Sequence, residues 1–65
     1  MNLKTDGTWD RVRGRIRETW GALTDDDLDR TEGRLEQLIG TIKKKTGQEA
    51  EEIENKIREL IDAAR

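Results

Sequence analysis

The stretch "TWGALTDDDLDR", residues 19–30, decides how the rest of the chain is read. Asp25, Asp26, Asp27 and Asp29 crowd together beside Trp20 and Gly21. Such a cluster is a metal site, a pair of catalytic carboxylates or the beginning of a helix. A calcium loop spaces its acids, turns on a glycine and closes with a distant glutamate. Here the acids are adjacent, and Arg30 stands where the glycine belongs. Carboxylate chemistry needs two acids driven apart in pKa by a pocket, and so short a chain has little volume for both core and pocket. The helix reading accounts for every residue. Thr24 offers its hydroxyl to the free N–H groups of a first turn, Asp27 takes the acidic place of a capping box, and the other aspartates face the positive end of the helix dipole.

Working outward, the chain of 65 residues supports a single domain, with 31% hydrophobic and 43% charged residues and a mean hydropathy of −1.05. That composition borders on disorder, but the net charge of −2 is small and the apolar residues are periodic, so a folded chain is expected. There is no cysteine and no histidine. Disulfides, thiolate chemistry and the commonest transition-metal ligands are excluded, and no cofactor is expected. The first residues carry no apolar leader, and no apolar run approaches the ~20 residues that span a bilayer. A soluble cytoplasmic monomer is the expectation.

Before the aspartates, residues 1–7 read as a flexible N-terminal arm, followed by one helical domain over 8–65. Trp9, Val12, Ile16 and Trp20 recur at helical spacing and share one stripe, with Thr8 as the expected N-cap and Gly21 as the expected left-handed stop. Leu23 leads into the acidic stretch. After it, Leu28, Leu35, Leu38, Ile39 and Ile42 form one face. This segment runs either unbroken from about 25 to 45 or, as favoured here, breaks near "DRTEG", because Thr31 and Gly33 are weak helix formers. Lys43, Lys44 and Lys45 lie at its C-terminal end, where cations complement the dipole, and Gly47 ends it. "TGQE", residues 46–49, fits a capping box of Thr46 with Glu49. The last helix follows, with Ile53, Ile57, Leu60 and Ile61 on its apolar face and with Glu52–Lys56 and Glu54–Arg58 as pairs one turn apart. No strand signal and no proline occur. The predicted fold is all-α: a bundle or array of four short helices at roughly 8–20, 24–31, 32–46 and 48–64.

Charge alternates in blocks: residues 1–23 carry +2, 24–36 carry −4, 37–47 carry +3 and 48–65 carry −3. Such blocks suit contacts between helices and give no continuous basic surface for nucleic acid, and the pI near 5.1 points the same way. Arg13 and Arg17 flank one side of the Trp9–Trp20 seam and Arg11 and Arg15 the other, and their expected partners are acids of the 24–36 segment. With no Phe or Tyr present, the two tryptophans read as core fillers rather than ligand-stacking residues. Gly14, Gly33 and Gly40 fall inside predicted helices at up to ~1 kcal/mol each relative to alanine. They mark either close helix crossings and breaks or a smooth interaction face for a protein partner.

The succession of Trp9, Gly14, "WGALTDDD" and "EGRLEQLIGTI" resembles the CsbD-like family of small bacterial stress-response proteins. Trp20, Gly21, Leu23, Thr24, Asp25, Asp26, Glu32, Gly33, Leu38 and Gly40 carry the rest of the likeness, which covers about residues 8–49. The resemblance implies a cytosolic protein induced by general stress and a compact array of about four helices, with two crossed helical hairpins as one arrangement. It implies no reaction and assigns no catalytic or binding residue. Two functions are carried forward: a non-enzymatic helical protein acting through protein contacts, and a hydrophilic protectant acting by abundance and hydration. Nucleic-acid binding and a membrane-surface role rank below both.

Overall fold

The structure, a computed structural model, describes all of residues 1–65. The first helix along the chain is one the periodicity could not announce. α1 spans Leu3–Asp6. Asn2 caps it, its side-chain oxygen accepting from Lys4 N at 2.9 Å, and Gly7 ends it at φ 83°. The segment expected as a free arm is therefore built into the fold. Leu3 is completely buried, and its amide donates to the Gly33 carbonyl at 2.8 Å. One apolar side chain and a backbone pairing with a distant turn hold these residues where composition alone suggests none would be held.

α2 runs from Trp9 to Thr19. Thr8 stands at its N-cap position but turns its hydroxyl to Asp6 Oδ2 at 3.2 Å, so no side chain caps this helix. Its end also departs from expectation. Trp20, not Gly21, is the C-cap, at φ −120°, and Gly21 does not adopt a positive φ. The reason is packing: keeping Trp20 out of the helix leaves its indole buried, with Nε1 donating to Gln48 Oε1 at 2.6 Å.

α3, Asp25–Thr31, opens with the capping box read from the sequence: Asp27 N donates to Thr24 Oγ1 at 3.1 Å, and Thr24 N donates to Asp27 Oδ2 at 2.9 Å. The break near "DRTEG" is real. Glu32 and Gly33 both take left-handed conformations, at φ 53° and 75°, and α4 begins at Leu35 and runs to Thr46. Thr31 is buried at the break, and its hydroxyl donates to the Leu28 carbonyl at 2.7 Å.

Gly47, at φ 77°, stops α4, and α5 spans Ala50–Ala64. The capping box expected at 46–49 does not form. Thr46 is the last residue of α4 and donates to the Ile42 carbonyl at 2.7 Å, while Glu49 is the N-cap of α5 without a side-chain cap bond. Within α5, Arg58 pairs with Glu54 at 3.1 Å, whereas Lys56 turns to Glu59 at 3.4 Å rather than to Glu52.

α5 packs against both α2 and α4, α3 packs on α4, and α1 on α2. The core gathers Trp9, Val12, Ile16, Trp20, Leu23, Leu28, Leu35, Leu38, Ile42, Ile53, Ile57 and Ile61, with Leu3 and Ala64 added from the two ends of the chain. Ile39 and Leu60 pack against this cluster but are only partly buried. At about 1.5–3 kcal/mol for each large aliphatic side chain removed from water, this burial is the main force opposing chain entropy. No buried side-chain polar atom lacks a hydrogen-bond partner, so the polar side chains taken into the interior are compensated.

Candidate functional site

The four aspartates that opened the sequence reading are each engaged by cations of the same chain. Arg13 meets Asp29 at 2.8 Å and Asp25 at 3.4 Å, and Arg17 meets Asp25 at 3.0 Å. Asp26 pairs with Arg30 at 3.0 Å and Asp27 with Lys45 at 2.9 Å. The arginines on one flank of the tryptophan seam thus bind α2 to α3. On the other flank, Arg11 donates to the Ala64 carbonyl at 3.2 Å and ties the end of α5 to α2. No group of three or more acidic side chains is arranged to hold a metal ion.

Asp27 is the one acid whose pKa is clearly displaced, down to about 2. The backbone N–H of Thr24 is the principal cause, followed by the hydrogen bond from Lys45. A carboxylate held this firmly in its charged form is poorly suited to general acid–base work near neutral pH, which favours a pKa close to the working pH. Its role is to close a helix start and to fix a lysine.

The three glycines do not assemble into one face. A Cβ on Gly14 or Gly40 would meet nothing within 4 Å, whereas one on Gly33 would lie 2.9 Å from Lys4 Cγ and 3.1 Å from Lys4 N. Gly33 is a close crossing against α1 at a positive φ, and it is buried there rather than displayed beside Gly40.

A feature the sequence reading passed over lies between α3 and α4. Asp27, Arg30, Thr41, Lys44 and Lys45 line an open groove of about 450 Å³ with no hydrophobic side chain in it. The groove holds three cations and one carboxylate. Its only advance signal was the contrast between the −4 block at 24–36 and the +3 block at 37–47. Turning back at Glu32–Gly33 lays the end of the basic block against the acidic helix and brings Arg30 and Lys44 to one groove.

A small all-helical protein with a packed apolar core and a charged, unenclosed surface is what these elements define. The CsbD-like family model matches residues 4–55, and the chain belongs to that family. A UPF0337 protein of Bordetella pertussis is 41% identical to it over 56 residues, 86% of this chain and 85% of the relative. A UPF0337 protein of Pectobacterium atrosepticum is 39% identical over 59 residues, 91% of this chain and 86% of the relative. The UPF0337 protein YjbJ of Escherichia coli K12 is 38% identical over 56 residues, 86% of this chain and 77% of the relative. None of these names describes a reaction. No solved structure matches the chain. No helix is long and apolar enough to cross a membrane.

Proposed function

We propose that this chain is a folded, non-enzymatic stress-response protein that acts as a cytoplasmic monomer through contacts made by its polar surface. The observation that supports this most is the core: 14 residues from all parts of the chain close on one another with every buried polar side-chain atom satisfied. A protectant that worked by hydration and abundance alone would need neither the core nor the capping box at Thr24. The absence of an enzymatic role is supported by the site chemistry. The displaced carboxylate is displaced downward, and the largest groove is open and lined only by polar side chains. The cytoplasmic setting rests on the family resemblance and the lack of cysteine.

The protectant reading is favoured by the 43% of charged residues, and one experiment separates the two. In a host lacking its own family member, the parent chain and a core-disrupted variant, Leu38→Asp, are brought to equal abundance under osmotic stress. The contact reading predicts survival with the parent and none of the benefit with the variant. Equal benefit from both would establish the protectant reading instead.

A further inference from the structure

We propose that the groove between α3 and α4 is a binding site for a small dianionic phosphate group, carried by a phosphate monoester or present as the free anion. The proposal stands independently of the contact function above. Three observations carry it.

The first is charge. Arg30, Lys44 and Lys45 face the groove against Asp27 alone, and no apolar residue lines it, so the cavity suits a compact, hydrated anion rather than an apolar ligand. The second is availability. Lys45 is committed to Asp27 at 2.9 Å, which fixes one wall, while Lys44 takes part in no ion pair. Arg30 is paired with Asp26, but both side chains are more than two-thirds exposed, so water screens the pair and it yields readily to a dianion.

The third is Thr41. The hydroxyls of Thr19, Thr31 and Thr46 each donate to a backbone carbonyl three or four residues earlier, at 2.8, 2.7 and 2.7 Å. Thr41, which lines the groove with Arg30 and Lys44, makes no such bond, and its hydroxyl is left as an uncommitted donor. A guanidinium, an ammonium and a hydroxyl lining one space are the donors that a tetrahedral dianion uses. A long polyanion fits less well. Asp25 and Asp26 open the same helix, and the chain as a whole is acidic, so a nucleic-acid backbone running past the site would meet repulsion.

The test is a titration of the isotope-labelled full chain by nuclear magnetic resonance at constant ionic strength, using inorganic phosphate, then phenyl phosphate, with chloride as reference. Saturable shifts are expected at Arg30, Thr41, Lys44 and Lys45. Lys44→Ala and Thr41→Val, each with unchanged circular dichroism, should each weaken binding about tenfold, about 1.4 kcal/mol. Affinity for phenyl phosphate should fall as the pH drops below about 6, where the monoester loses its second charge. Comparable binding of both probes identifies a phosphate group on a small molecule as sufficient, and preference for inorganic phosphate assigns the site to the free anion. Shifts that track total salt whatever the anion, or variants that titrate like the parent, would overturn the proposal.

Discussion

The backbone amide of Leu35 donates to the carbonyl of Met1 at 3.0 Å, so the first residue of the chain closes the start of α4. Arg34 precedes that helix without a side-chain cap, and Asn2 bridges to Arg34 in antiparallel fashion. The N-terminal turn thus does for α4 what Thr24 does for α3, with Leu3 anchoring it in the core. Replacing Leu3 by alanine should cost about 2–5 kcal/mol, a large fraction of the stability available to a domain of this size. Chemical denaturation reads it directly. By contrast, the terminal ammonium lies 3.9 Å from a mostly exposed Glu36, and Glu36→Gln should stay within about 0.5 kcal/mol of the parent.

Asp27 sets the response to acid. Its pKa is about 2 in the folded chain against an ordinary 3.8, so its contribution is complete above the unfolded value and disappears as the pH falls through about 2. Stability should therefore decline between about pH 4 and pH 2, and Asp27→Asn should flatten that part of the profile. Thermal midpoints measured at closely spaced pH values test this. An unaltered slope in the variant would assign the acid sensitivity to other carboxylates.

The glycines should separate sharply. Gly33→Ala forces a side chain into a left-handed position 2.9 Å from Lys4 Cγ, and a loss of about 1–3 kcal/mol is expected. Gly40→Ala and Gly14→Ala enter open space on regular helix and should each stabilise by up to about 1 kcal/mol. Urea midpoints of the three variants give the comparison. If Gly40→Ala instead lowered stability, a close approach on that face would have to exist.

Gln48 joins the loop before α5 to the end of α2 through the Trp20 indole. Gln48→Ala leaves that N–H without its partner, at about 0.5–1.5 kcal/mol. A changed Trp20 emission should accompany the loss, with Trp9 unaffected.

The sequence made the long helices legible because each buries a stripe. Val12 and Ile16, Leu38 and Ile42, Ile53 and Ile57 repeat at helical period, and Thr24 with Asp27 is a local cap whose partners lie within one turn. What it concealed depended on distant residues. Leu3 sits in one turn of helix, too short to show a period, and its reason for being ordered is Gly33. Gly21 looked like a stop because glycine generally is one, but the tertiary demand of the Trp20 indole set the boundary. Thr46 looked like the cap of α5, but its hydroxyl donates back to the Ile42 carbonyl and accepts from the Gln48 N–H rather than from that of Glu49. The groove is of the same kind: Thr41 and Lys44 lie one turn apart on α4, but only the turn at Glu32–Gly33 brings Arg30 of α3 to them.

The claim beneath these expectations is that one cooperative core holds both indoles. The most direct measurement is thermal unfolding followed on one sample by far-ultraviolet circular dichroism and by tryptophan emission. Trp9 and Trp20 are 6% and 7% exposed, so the account predicts blue-shifted native emission and two sigmoidal transitions that superimpose. Emission already characteristic of water-exposed indole at low temperature, or helicity that declines gradually without a transition, would contradict it.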